Sequence, residues 1–368
     1  MNPLRVEGRR GQHFDWVLAG IVVILMAMGL VNLVSAAASG VEGGSDIVTR
    51  QMMVMGLCFV VIVIVVIIDY RHYERFAYVL YGGTIALLLL TLVIAEETRG
   101  ARAWLFSGRF QPSEVAKIGM VIAMAHYFSR NPPSMIRRLR DLFVPSLIVA
   151  LPVGLIVAQK DLGVAVLTLM IGLTFLPLVN VPLRAWCGIG LAGAAGMVAL
   201  WQYGLKGYQQ ERILGFLDPS RDPLSSGYQQ MQSKIAVGSG GLFGTGWQEG
   251  TQTQLRFLPT QHTDFAFSVL AEEWGFLGAV VTLGVYASML LWGLLIARNS
   301  KDTFGAVLAI GLVGTLLWPA TINVAMVLGL APVIGVPMPL FSYGGSALLS
   351  AAISIGLLLN LSMRRYVF

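Results

Sequence analysis

Long apolar runs follow one another along almost the whole chain, and they constrain the fold more than any other feature. Crossing the hydrocarbon core of a bilayer takes about 20 predominantly apolar residues. About ten segments meet that need, at roughly 15–36, 51–69, 75–95, 113–129, 142–158, 162–179, 183–203, 265–297, 305–329 and 343–363. Several contain Gly or Pro, which neighbouring helices accommodate inside a membrane. Only 12% of the residues are charged and 56% are hydrophobic, whereas soluble domains carry about 25% charge. The first run follows a basic tail (1–14) and is too long for a signal-peptide core. The expectation is an all-α polytopic integral membrane protein, a single membrane domain over 1–368.

Orientation follows from the Lys/Arg bias of short loops. With the N-terminus inside, the cytoplasmic stretches hold Arg5, Arg9, Arg10, Arg71, Arg75, Arg130, Arg137, Arg138, Arg140, Arg184, Arg298, Lys301, Arg364 and Arg365. The opposite short loops are poorer in cations, except for "RGARAWLFSGRF". Both termini are then cytoplasmic. The formal net charge of +6 is a topology signal, and no nucleic-acid partner is expected. Cys58 and Cys187 fall inside apolar runs, which argues against a disulfide frame or a Cys metal site. The long segment between the seventh and eighth runs (204–264) becomes a large extracytoplasmic loop. Its aromatics and aliphatics, interleaved with glycines in "GYQQMQSKIAVGSGGLFGTGW", predict a folded, membrane-hugging structure.

Three polar clusters fall on that same outer side. In "GARAWLFSGRFQPSEVAKIGM", Pro112 suits the first position of a helix, and Glu114 and Lys117 then share its first turn. They read either as a helix-end ion pair or as part of a site, since charge at membrane depth is costly. Arg102 and Arg109 nearby favour an anionic ligand. Trp104 reads as an interfacial anchor or a sugar-stacking ring. Lys160 and Asp161 occupy a short turn that on its own is a solvated corner. In "LPTQHTDF", Asp264 opens a helix, either as its N-cap or as a carboxylate tuned toward a general base, with His262 and Thr263 beside it. No His/Asp/Glu spacing suggests a metal site.

Taken together, "GARAWLFSGRFQPSEVAK", "DLG", "ERILGFLDPSRDPLSSGYQQMQSKIAVGSGGLFGTGW", "LPTQHTDFAFSVLAEEWGF" and "GVPMPLFSYGGSA" resemble the SEDS family (shape, elongation, division and sporulation) over essentially the whole chain. "GTQTQLRFLPTQHTDF" and "GVPMP" resemble its elongation branch more than its division branch. The resemblance implies polymerisation of lipid II into β-1,4 glycan strands at the periplasmic face of the cytoplasmic (inner) membrane, for elongation and rod shape. It implies Asp264 as the catalytic carboxylate. Supporting or substrate-binding roles fall to Arg102, Trp104, Arg109, Gln111, Ser113, Glu114, Lys117, Lys160, Asp161, Glu211, Arg212, Gln230, Lys234, His262, Thr263, Ser342, Tyr343 and Ser346.

A divalent cation (Mg or Mn) would share the leaving-group charge, and no other cofactor is expected. The implied partners are a class B penicillin-binding protein, docking by its one membrane helix, and other elongation-complex proteins. The small residues of the ninth run suggest that it or the eighth receives that helix, near Leu312 and Leu316. Two departures stand out: Ala103 where the family commonly has a second arginine, and Lys160 where it often has proline. The competing readings are a lipid II flippase and a non-catalytic scaffold. Against the flippase stand the lack of evident internal repeats and the small number of ionisable residues near mid-span.

Overall fold

Helices occupy every apolar segment expected from the sequence. The computed structural model describes residues 14–38, 44–97, 100–106, 108, 110–136, 138–180, 182–204, 207, 210, 226–258 and 260–364. The helices run α1 (Trp16–Ala38), α2 (Gly44–Ile67), α3 (Tyr70–Arg75), α4 (Ala77–Ile94), α5 (Pro112–Arg130), α6 (Phe143–Ala158) and α7 (Leu162–Leu173). There follow α8 (Leu183–Ala199), α9 (Ser226–Ser239), α10 (Thr251–Gln254), α11 (Ala266–Arg298), α12 (Thr303–Val327) and α13 (Gly345–Arg364). Seven are long and apolar enough to cross a membrane: α1, α2, α4, α6 with the turn before it, and α11 to α13. The protein is an all-helical multi-pass membrane protein.

The centre belongs to α5 and α12. Fifteen of the 19 residues of α5 are buried, although it carries Glu114, Lys117, His126 and Arg130. It packs against α4, α6 and α12, while α13 lies along α2 and α1 along α11. By contrast α2 and α4 turn Phe59, Ile64, Val79 and Val93 outward, a surface suited to lipid. Leu312 and Leu316 of α12 are buried inside this chain. That corrects the expected docking position: the glycines and alanines of the ninth run pack within the bundle and leave no groove for a partner there.

At 33 residues α11 would be about 50 Å long if straight, against a hydrocarbon core of about 30 Å. It breaks at Gly275, whose φ of 63° lies in the left-handed region. The glycine-rich turn after α9 fills the break. Phe276 N–H donates to the Gly241 carbonyl at 2.9 Å, and Thr245 N–H to the Glu272 carbonyl at 3.0 Å. A Cβ on Gly275 would lie 2.3 Å from the Gly244 nitrogen, so this approach needs glycine. Glu272, just before the break, accepts from the Gln252 and Thr253 N–H groups at 2.7 and 3.1 Å and ties down α10. The described part of the 204–264 segment is therefore folded onto the bundle. Its α9 is fixed by Ser233, whose Oγ meets Ser268 Oγ and the Val327 carbonyl, each at 2.8 Å.

Because the helices alternate direction, polar residues collect at two ends. One end gathers Asp15, Asp69, Tyr70, Asp302 and Arg364, with Arg364 on Asp69 and Tyr70 on Asp302, both at 2.7 Å. The other gathers the start of α5, the α6–α7 turn, the approach to α11 and the start of α13.

Candidate active site

At the second end, Gln111 joins three elements. Its N–H donates to Ser346 Oγ of α13 at 3.1 Å, and its side-chain amide to Asp161 Oδ2 at 3.0 Å. Asp161 also caps α7, accepting from Val164 N–H at 3.2 Å. Burial raises the Asp161 carboxyl above its ordinary range, against the opposing pull of Val164 N–H, Gln111 and Lys117. One turn into α5, Lys117 Nζ meets Glu114 Oε1 at 2.7 Å with both residues buried. The pair helps line a narrow cleft of about 20 Å³ with Thr315 and Pro319 of α12, Ala347, Ser350 and Ala351 of α13, and Val336, Pro337 and Pro339.

Residues 100–106 lie over the α6–α7 turn, with Arg102 N–H donating to the Gln159 carbonyl at 2.9 Å. Glu97 receives Lys160 at 2.9 Å and Arg102 at 3.9 Å. Lys160 thus answers a carboxylate in this loop, and Arg102, half-exposed, is the cation at the surface. The departure Ala103 is buried beneath it.

The extended stretch 332–338 links this cleft to the second cluster. Asn323, buried in α12, donates to the Val336 carbonyl at 2.7 Å and to the Asp264 carbonyl at 2.8 Å. Two bonds from one amide fix its orientation and leave Asn323 Oδ1 buried without a partner among the described residues. The Asp264 carboxylate lies beside Gly335, where a Cβ would come within 3.6 Å of Oδ2. Tyr343 N–H donates to the His262 carbonyl at 3.0 Å, and the two rings meet edge to face at 5.9 Å. Burial holds the His262 imidazole below its ordinary value, so it is neutral at neutral pH.

Asp264 lies two residues before Ala266, where α11 begins. The cap position of α11 falls to Phe265, which makes no side-chain capping bond. Of the other expected residues, Ser113 is buried with Oγ unpartnered among the described residues, and Trp104 sits half-exposed at the surface. Thr263 Oγ1 bonds the Thr260 carbonyl at 3.2 Å, and Ser342 Oγ accepts from Met338 N–H at 3.1 Å, so both shape turns. Gln230 and Lys234 stand apart on α9, Gln230 holding the Ala331 carbonyl at 3.1 Å and Lys234 lying across Gly329. Arg109, Glu211 and Arg212 lie outside the described residues. Sequence reasoning missed Asn323, Thr315 and Ser350, as well as Glu273, which accepts a hydrogen bond from Ser35 of α1. A lone amide in an apolar helix was the available signal for Asn323.

The bundle as a whole is similar to known proteins. The family described as cell cycle protein, FtsW/RodA/SpoVE, matches residues 15–367, and the chain belongs to it. The peptidoglycan glycosyltransferase MrdB of Escherichia coli (strain K12) is 40% identical over 360 residues, covering 96% of this chain and 94% of that protein. A chain from a solved structure described as the structural coordination of polymerization and crosslinking by a peptidoglycan synthase complex has a TM-score of 0.81 at 34% identity. There 96% of this chain and 99% of that one are covered. The Thermus thermophilus rod shape determining protein RodA superposes with a TM-score of 0.72 at 31% identity, covering 96% of this chain and 98% of that one.

Proposed function

We propose that Asp264 is the general base of this chain, a peptidoglycan glycosyltransferase of cell elongation that polymerises lipid II. The observation that carries the assignment is the position of Asp264. It stands outside the α11 cap, against Gly335, on the stretch that walls the Glu114–Lys117 cleft. In the reaction a sugar 4-hydroxyl attacks an anomeric carbon bearing an α-linked undecaprenyl pyrophosphate, and inversion gives the β-1,4 link. The hydroxyl is a poor nucleophile at neutral pH, and a positioned carboxylate taking its proton contributes about 10²–10⁴-fold. The pyrophosphate leaves without protonation, so one carboxylate suffices, unlike the paired carboxylates of glycosidases.

Lys117 is neutralised by Glu114, so its part is to hold the cleft wall; among the described residues Arg102, half-exposed and held by Glu97 only at 3.9 Å, is the cation that meets the departing charge. Among the described residues no group of three or more His, Cys, Asp or Glu forms a metal cage. Magnesium or manganese arriving with the pyrophosphate would need only one or two carboxylates from the protein, and Asp264, engaged with the hydroxyl on the opposite face of the sugar, is not one of them. When bound, the ion would neutralise charge building on the leaving group.

The topology is read as ten spans with both termini cytoplasmic, Asp264 at the periplasmic face of the inner membrane, and 204–264 as the large outer loop. A class B penicillin-binding protein is the expected partner, its helix resting on the outward face of α11, where Leu277, Val281, Leu291 and Leu295 are exposed. The synthase complex that resembles this chain supports that pairing. Purified protein given lipid II in detergent should make glycan chains, and Asp264→Asn should make none. Lipid II crossing vesicles without glycan formation would instead favour a flippase, and neither activity would leave a scaffold.

A further inference from the structure

A cleft of about 500 Å³ opens at the far end of α5, lined by Arg71, Glu74, Arg75, Tyr78, His126 and Arg130. That volume falls within the 300–1,000 Å³ or so of small-ligand sites. Pro112 and Arg130 are 18 residues apart, so the cleft lies about 27 Å along α5 from the candidate active site. This is one hydrocarbon thickness away, at the opposite membrane surface. Three guanidiniums and one carboxylate leave it a formal excess of two positive charges. Among the described residues none of the three arginines has a carboxylate within ion-pair distance. Glu74 is engaged by Ser129 Oγ, at 3.2 Å.

A second observation is independent of the charges. His126 is 8% exposed, and its Nδ1 is buried with no hydrogen-bond partner among the described residues. The ring is held edge-on by Tyr78 at 4.9 Å. A buried imidazole nitrogen left unpaired costs free energy unless something meets it. Beside the cleft, Tyr78, Val79, Gly82 and Gly83 of α4 are exposed and form an apolar track along the membrane.

We propose that this cleft binds the headgroup of an anionic phospholipid of the phosphatidylglycerol kind. The phosphate lies among Arg71, Arg75 and Arg130, a headgroup hydroxyl meets His126 Nδ1, and an acyl chain follows the exposed face of α4. Guanidinium groups suit phosphate oxygens because they can chelate them bidentately. Basic pockets between membrane helices on the cytoplasmic side are known lipid sites. Neutral lipids lack the net charge to answer three guanidiniums, and a free phosphate has no use for the apolar track.

The test is native mass spectrometry of the full-length protein in detergent, counting lipids retained from phosphatidylglycerol or phosphatidylcholine, with a parallel titration of inorganic phosphate. Wild type should retain phosphatidylglycerol in preference to phosphatidylcholine and bind inorganic phosphate more weakly. Removing one guanidinium (Arg130→Gln) should weaken retention about fivefold, and removing all three about a hundredfold. His126→Phe should weaken it severalfold. Arg298→Ala, at the same end but outside the cleft, should change nothing. The inference fails if Arg298→Ala costs as much as Arg130→Gln, or if phosphatidylcholine is held equally well. It fails too if inorganic phosphate binds as tightly as the lipid, which would make the ligand a soluble anion. Should the triple variant not fold, as judged by its melting, the single variant carries the comparison.

Discussion

The two ends of α5 treat charge in opposite ways. At its start, Lys117 and Glu114 are buried and locked together at 2.7 Å. At its finish, Arg130 stands exposed with Arg71 and Arg75 around an open cleft. A buried pair seldom adds net stability, because desolvating two ions costs about what their attraction returns. What it fixes is geometry. Exposed guanidiniums contribute little to folding, about 0–1 kcal/mol even when paired, and remain available to a ligand. One helix thus carries a rigid wall at one membrane surface and an adaptable basic surface at the other.

The largest expected effect sharpens the rigid side. Asp264→Asn keeps size and shape while removing the proton acceptor, so polymerisation should fall about 10²–10⁴-fold. Melting in detergent should change little, because asparagine keeps the side-chain oxygen that can accept the same backbone bonds. If the variant melted early and still made glycan, Asp264 would be structural and the active end would lie elsewhere.

Next comes the ion pair itself. Glu114→Gln or Lys117→Met alone strands a buried charge and should destabilise by about 3–5 kcal/mol. The double variant should cost clearly less than the sum, a coupling that fails for residues acting independently. The same cycle on Arg71 and Arg130 should be additive within about 0.5 kcal/mol, since nothing binds them to each other. Unfolding curves in detergent measure both, and equal coupling at the two ends would erase the contrast.

Much of this architecture was legible because lipid imposes its own length scale. Each of the ten apolar runs holds a helix, seven of them long and apolar enough to cross a membrane, and Pro112 placed the start of α5. What hydropathy cannot show is which apolar face meets lipid and which meets protein, since both surroundings are equally apolar. Hence Leu312 and Leu316 were misread as a docking face. The break at Gly275 was also missed, although a straight helix of 33 residues is too long for one crossing. At the site, the Glu114–Lys117 spacing was readable from helical periodicity, whereas the role proposed for Asp264 came through family resemblance. The bridge made by Asn323 depends on 332–338 folding back between two helices, a non-local contact with no signature in either segment.

That bridge gives an intermediate effect. Asn323→Leu removes the donor to the carbonyls of Asp264 and Val336, leaving each to lose its bond. The stability cost should be about 1–3 kcal/mol. Asn323 acts through Asp264, so turnover should drop about tenfold while lipid II KM changes little, the mark of lost transition-state alignment. A proportional rise in KM with unchanged kcat would mean that Asn323 binds substrate directly.

The smallest effect concerns Asp161, which belongs to neither extreme: it is buried, yet held by an amide and a backbone N–H in place of a cation. Burial raises its carboxyl above the ordinary range, so the folded protein binds this proton more tightly than the unfolded chain, whose value is about 3.9. Between those two values the folded state keeps a proton that the unfolded state has lost. Stability from this group therefore falls as pH rises through that window and recovers on acidification. Asp161→Asn removes the ionisation while its side-chain oxygen still caps α7, so the wild-type-minus-variant melting difference should slope downward with pH there, by under about 2 °C. An upward slope would mean that Gln111, Val164 N–H and Lys117 outweigh burial. Asp161 would then be an ionised, cation-supported carboxylate like Glu114, and the rigid end of α5 would hold two such groups.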